Sequence, residues 1–180
     1  MTRLLLCRHA EEGNAAQAEL LAATLADAAV VAVYTSPLAR AVDTARAVAV
    51  VHALEPIVVP ALREIDLGDV TGRQFEDYPR ELQTALLTSP ATVRFPGGET
   101  YEELLRRVVA ALGEVVERHR GATVVAVSHA GAIRAALATW LGVPADAAFR
   151  LDQRFGAINV IDWNDGEPFV RLVNGTRLDR

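Results

Sequence analysis

The chain alternates short, unbroken apolar runs with longer segments in which apolar positions recur every three or four residues. LLLC at 4–7, VVAVY at 30–34 and TVVAVS at 123–128 are rich in β-formers and lack polar alternation. That pattern is expected of strands buried on both faces of a parallel sheet. Each run leads through a polar cluster into a helical pattern. After VVAVY comes SPLARAVDTARAVAVV, where Ser36 is placed to cap a helix and Pro37 to occupy its first turn. Three strand-to-helix units imply an α/β layered fold with right-handed crossovers.

From Leu62 to Pro96 the periodicity weakens, punctuated by Gly68, Gly72, Pro79, Pro90 and Pro96. This stretch reads as an excursion over the sheet's edge, at about 62–98, rather than as a second domain. A helix resumes at TYEELLRRVVAALGEVVERH, where Thr100 and Glu103 have the spacing of a capping box. The end of the chain, AINVIDW, a turn at Asn164 to Gly166, then PFVRLV, predicts a hairpin on the sheet margin. His52 and His119 sit at predicted helix ends, where imidazoles are expected to meet terminal carbonyls.

A length of 180 residues fits a single domain spanning 1–180, large enough to bury a core without disulfides. With 51% apolar residues the composition is that of a globular protein, not of a disordered one. The apolar run at the N-terminus is too short for a membrane span or a signal-peptide core, so no membrane partner is expected and a cytoplasmic location is the default. The one cysteine, Cys7, is expected in the core of a strand. A net charge of −5 argues against nucleic acid as a partner. All 18 basic residues are arginine, which removes lysine as a Schiff-base or P-loop residue. An acidic protein still binds an anion where a few arginines converge.

In open α/β sheets ligands bind beyond the carboxyl ends of the strands. Arg8 and His9 follow the first strand, Arg40 lies in the first helical turn after the second, and His129 follows the third. Two arginines and two histidines at one rim suit a phosphate dianion. Guanidiniums grip its nonbridging oxygens, and helix N-termini add backbone donors. A neutral imidazole in line can then attack phosphorus. His9 is assigned the attack and His129 the stabilisation of charge. Arg40 near the positive end of a helix is electrostatically poor unless an anion sits there too. Glu64, in LREIDLGDVTG, is the candidate acid for the leaving alcohol and base for the later water. Glu99 is expected to pin the loop before its helix, and Arg63 and Arg73 are candidate contacts for the organic part of a substrate. The histidines are paired with arginines rather than carboxylates, so neither a metal nor another cofactor is expected.

CRHAE at 7–11, SPLARAVDTA at 36–45, LREIDLGDVTG at 62–72, PGGETYEEL at 96–104 and SHAGAIRA at 128–135 resemble, in order, the motifs of the histidine phosphatase family, the phosphoglycerate-mutase-like superfamily. The resemblance implies a three-layer α/β/α sandwich with a mostly parallel central sheet. It also implies a phosphohistidine on His9, phosphate clamps at Arg8, Arg40 and His129, and a proton donor at Glu64. Two departures stand out. Ala10 replaces the usual glycine, and the polar loop after Glu11, which usually carries a phosphate-contacting asparagine, is cut short. Asn14 either takes that asparagine's part or caps the first helix. The shortened loop is expected to leave the pocket open and to favour hydrolysis of a small or medium phosphate ester. The alternatives are a phosphoglycerate mutase, disfavoured by a short chain without an extended lid, a protein phosphatase, or an inactive relative that binds a phosphorylated ligand. Edge strands such as the terminal hairpin allow a homodimer.

Overall fold

Side chains of a strand alternate between the two faces of its sheet. In strand β1 (Thr2–Arg8), Leu4 and Leu6 therefore join one buried cluster while Leu5 and Cys7 join another. Both faces are covered, which is why the run carries no polar alternation. The three leucines are at most 1% exposed, and each contributes about 1.5–3 kcal/mol by burial. The computed structural model describes residues 1–178. Its six strands lie in the order β3–β2–β4–β1–β5–β6, with β2 at Val30–Thr35, β3 at Pro56–Val58, β4 at Thr123–Ser128, β5 at Ile158–Asn164 and β6 at Glu167–Gly175. Helices α1 (Ala15–Leu25) and α2 (Ala39–Val51) cover the face of Leu5 and Cys7. Helices α4 (Tyr101–Arg118) and α5 (Ala130–Leu141) cover the other, giving the expected α/β/α layers.

The four strands from β3 to β1 are parallel, and their register decides where the loops emerge. Arg8, the last residue of β1, stands opposite Ser128, the last of β4, while Thr35, the last of β2, stands opposite Val127. Three strands thus end together, and the residues that follow them share one rim. The terminal hairpin is as predicted: β5 runs antiparallel to β1 and β6 forms the margin. Asp165 and Gly166 connect them with φ of 51° and 88°, the positive pair that a two-residue hairpin turn demands. Thr100 and Glu103 form the capping box of α4, a device of about 1 kcal/mol. Cys7 is fully buried, and burial pushes its thiol up to about 12.

Three local readings differ from the structure. Helix α2 begins at Ala39, and Leu38, not Ser36, holds its cap position without a side-chain bond. The Ser36 N–H still continues the sheet ladder to the Val127 carbonyl at 3.0 Å, which holds the residue outside the helix. The His119 ring meets the hydroxyl of the buried Tyr34 at 2.8 Å rather than a terminal carbonyl. The excursion also carries a helix that its weak periodicity did not announce, α3 (Arg80–Thr88), of which only Leu82 is buried. A small cluster of Val70, Leu82, Val93 and Phe95 gives the excursion its own core. The Asp69 N–H donates to Pro96 O at 2.8 Å, so its two ends are joined. Gly68 permits that approach, since a Cβ there would lie 2.1 Å from the Pro96 oxygen.

Candidate active site

The coincident strand ends bring His9 and His129 side by side, their ring centroids 4.9 Å apart. Both are buried: His9 is 4% exposed and His129 fully enclosed. The His9 N–H donates to Ser128 O at 3.0 Å and the Gly156 N–H donates to His9 O at 3.2 Å, so the residue is held by main chain on two sides. Its Nδ1 lies 2.6 Å from the Ala10 carbonyl. A carbonyl only accepts, so Nδ1 carries the proton and Nε2 the lone pair. Burial pushes the His9 pKa down to about 4, opposed by the Ala10 carbonyl and aided by the charges of Arg40 and Arg8. The imidazole is therefore neutral at pH 7.

Arg40, the second residue of α2, donates its Nε–H to His9 Nε2 at 3.2 Å. The guanidinium thus caps the unprotonated nitrogen of His9. Arg8 donates to the Gln153 carbonyl, and its guanidinium lies 3.7 Å above the centre of the Phe155 ring. The same ring stands 5.5 Å from that of His9. Burial lowers the Arg8 pKa, with the negative charge of Glu64 opposing the shift. His129 meets the Ser36 hydroxyl through Nε2 at 2.7 Å. Among the described residues the Ser36 hydroxyl has no acceptor other than His129 Nε2, so its proton goes there and the imidazole proton sits on Nδ1. Burial, the neighbouring His9 and the two arginines push the His129 pKa down to about 3.

Arg8 Nε and His129 Nδ1 are both buried and unpartnered. An orphaned buried donor costs about 1–3 kcal/mol, and two such donors beside Arg40 suit an anion with several oxygens. Among the described residues, no group of three or more His, Cys, Asp or Glu is arranged to hold a metal ion. No helix among them is long and apolar enough to cross a membrane.

Glu64 comes from the other side. Its carboxylate accepts the Gly131 N–H at 3.0 Å, in the first turn of α5, and its own neighbour's Ile65 N–H at 2.9 Å. A Cβ on Gly131 would lie 2.3 Å from Glu64 Oε1, so glycine makes room for that seat. The loop is held by Arg107, which donates to the carbonyls of Ala61, Arg63 and Glu64 at 2.7, 2.8 and 3.0 Å. Glu99 binds Arg107 in turn and accepts the Asp66 N–H at 2.9 Å, the pinning role expected of it. Arg63 approaches Glu99 at 3.8 Å, and Arg73 is exposed. Asn14 caps α1, accepting the Gln17 N–H at 3.1 Å. Its carbonyl oxygen is thereby engaged in the capping role, one of the two open to it.

A family model described as the histidine phosphatase superfamily (branch 1) matches residues 4–176. The chain belongs to that superfamily. It is 33% identical over 156 residues to a bifunctional protein of Mycobacterium tuberculosis, covering 82% of this chain and only 41% of that longer relative. To a probable phosphoglycerate mutase of Yersinia pestis it is 32% identical over 152 residues, covering 83% of this chain and 71% of the relative. Among solved structures, Bacillus stearothermophilus YhfR superposes with a TM-score of 0.86 at 26% identity, covering 99% of this chain and 98% of that one. The alpha-ribazole phosphatase of Shigella flexneri shares the fold, with a TM-score of 0.86 at 24% identity and the same coverage.

Several residues around the site escaped the sequence reading. Phe155 and Gln153 lie almost 150 positions from Arg8, and nothing local marks them. Gln17 accepts the Glu11 N–H at 2.7 Å and donates to the Phe155 carbonyl at 3.3 Å, closing the rim from α1. Gly131 had a readable signal: it stands two residues after His129, in the first turn of a helix, where glycine is costly unless something approaches closely. Ala10 has no positive φ, so its methyl imposes no backbone strain where the family carries glycine. Its N–H donates to Thr44 Oγ1 at 3.0 Å, tying the short loop to α2.

Proposed function

We propose that the chain is a metal-independent phosphomonoester hydrolase that passes the phosphoryl group of a small or medium phosphate ester through a phosphohistidine on His9. The observation that carries this reading is the state of His9: neutral, with its proton bound at Ala10 and Nε2 facing Arg40. Arriving phosphate draws Arg40 off Nε2 onto its own oxygens, while Arg8 and His129 Nδ1 supply the donors that lack partners. The Nε2 lone pair attacks phosphorus, the ester P–O bond breaks, and a proton from Glu64 goes to the departing alcohol. Glu64 then takes a proton from water, whose oxygen attacks phosphorus and breaks the P–N bond, freeing inorganic phosphate and His9.

Hydrolysis is favoured over mutase transfer because the loop beside the rim is short and Glu11 to Asn14 are exposed, leaving water a path to the phosphoenzyme. The test is phosphate release from a panel of monoesters, phosphoglycerates and phosphoamino acids included, with chelator present, by wild type and His9→Ala. Release that vanishes in His9→Ala, with acid-labile phosphate trapped on the wild-type protein at quench, is the expected result. Transfer between phosphoglycerates without release would replace it with the mutase reading, and inhibition by chelator that a divalent metal reverses would overturn the metal independence.

A further inference from the structure

Beside Glu64 lies a cavity of about 320 Å³, near the lower end of the range for small-molecule sites. Its walls come from the excursion (Leu67, Leu86, Phe95), from α4 (Tyr101) and from α5, and Glu64 and Arg134 are the only charged residues among them. Glu64 and Arg40 also line the neighbouring cavity towards the rim, so the carboxylate stands between the apolar space and the phosphate clamp.

Two features distinguish this cavity from a packing gap. Tyr101 is 2% exposed, yet its hydroxyl has no hydrogen-bond partner. Its ring lies 4.9 Å from that of Phe149, which itself remains 43% exposed, a large aromatic left open beside an apolar space. Arg134 spends only its Nε, on the Leu151 carbonyl at 2.7 Å, and no carboxylate among the described residues forms an ion pair with it. Apolar walls, an aromatic pair and two unspent donors call for a ligand that is apolar in body and carries an oxygen acceptor.

We propose that this cavity receives the alcohol part of the substrate and selects a ring-sized apolar alcohol bearing an oxygen acceptor, a carboxylate above all. The inference rests on the hydrolase reading, in which Glu64 protonates the leaving oxygen. That oxygen must lie against Glu64, and the group attached to it then continues into the space on the far side. A ring displaces water from Leu86, Phe95 and Phe149, and a carboxylate at its end neutralises Arg134. Glycerol or serine phosphates leave those walls wet and those donors unspent.

The experiment compares kcat/KM for ethyl, glycerol 3-, benzyl and 4-carboxybenzyl phosphates, all alkyl esters, in wild type, Phe149→Ala, Tyr101→Phe and Arg134→Gln, with melting curves to confirm folding. Wild type is expected to prefer benzyl over ethyl phosphate by at least about tenfold, the scale on which apolar pockets discriminate, and 4-carboxybenzyl phosphate further still. Phe149→Ala lowers the benzyl-to-ethyl ratio, whereas Arg134→Gln removes the carboxylate preference and keeps that ratio; Tyr101→Phe weakens the carboxylate preference alone. Phosphate release without preference for benzyl esters, or ratios unchanged in Phe149→Ala and Arg134→Gln, overturns the cavity assignment and leaves the hydrolase standing. No release from any ester overturns the hydrolase reading and this one with it.

Discussion

The two halves of the site are held by different physics. The rim of His9, His129, Arg8 and Arg40 hangs from the ends of parallel strands whose register is set by buried apolar side chains on both faces. The acid side, Glu64 and its loop, hangs from side chains: Arg107 gathers three carbonyls, Glu99 holds Arg107, and one helix N–H seats the carboxylate. The rim is a product of topology, so it survives the loss of any one polar contact. The acid side is a product of a few directional bonds, and single substitutions can move it without disturbing the core. In the proposed mechanism, attack needs a fixed nucleophile in a dry place, whereas the acid serves two steps from a loop at the border of solvent.

Glu64→Gln attacks that difference most strongly. Losing a general acid typically removes 10²–10⁴-fold in rate, so kcat/KM for alkyl esters, which reports the phosphorylation step alone, should fall by roughly that factor. The loss should shrink for nitrophenyl phosphate, whose leaving group needs no proton. An equal loss for both ester types would take the acid role from Glu64. Gly131→Ala is subtler. The new methyl pushes the carboxylate from its seat while alanine suits a helix better than glycine. The expected outcome is a ten- to hundredfold drop in kcat, roughly the effect of an ångström of misplacement, with a melting temperature unchanged or higher. A lowered melting temperature would place the contact in folding rather than positioning.

Acid tests the rim. Both histidines titrate below their ordinary 6.5, His9 at about 4 and His129 at about 3. As pH falls below 6.5 the unfolded chain takes up protons that the folded rim refuses, so this contribution to stability is complete above pH 6.5 and declines towards pH 4. Melting curves between pH 7 and 4.5 should show that decline, and His9→Ala should flatten part of it. A proton NMR titration in which the His9 ring charges near pH 6.5 would contradict the burial argument. The smallest effect is expected of Ala10→Gly. The native φ suits alanine, so activity should stay within a few-fold while stability falls by about 0.4–1 kcal/mol through the looser unfolded chain.

Much of the rim was legible in the sequence because strand ends are local events. A run such as LLLC followed by RH places His9 at the end of a buried strand, and the same logic places His129 after TVVAVS. Short-range signals also marked the α4 capping box and a turn at Asn164 to Gly166, which the structure closes on Asp165 and Gly166. Ser36 shows where local logic misled: a serine before proline and a helical run reads as a cap, but the sheet ladder keeps hold of its N–H and its hydroxyl turns to His129. Helix α3 was missed because one buried leucine makes no period.

By itself, then, the sequence determined the layered fold, the shared rim and the identities of its four charged or titratable side chains, since each follows from hydrophobic period, strand length and residue type over a few positions. Only the tertiary structure decided that Phe155 and Gln153 would support Arg8 and that Gly131 would seat Glu64. It also decided that Tyr101, Phe149 and Arg134 would frame one cavity. Those neighbours come from separate segments of the chain, joined by packing across the sheet and around its edge, and no local pattern encodes a contact whose partner lies tens of residues away or more.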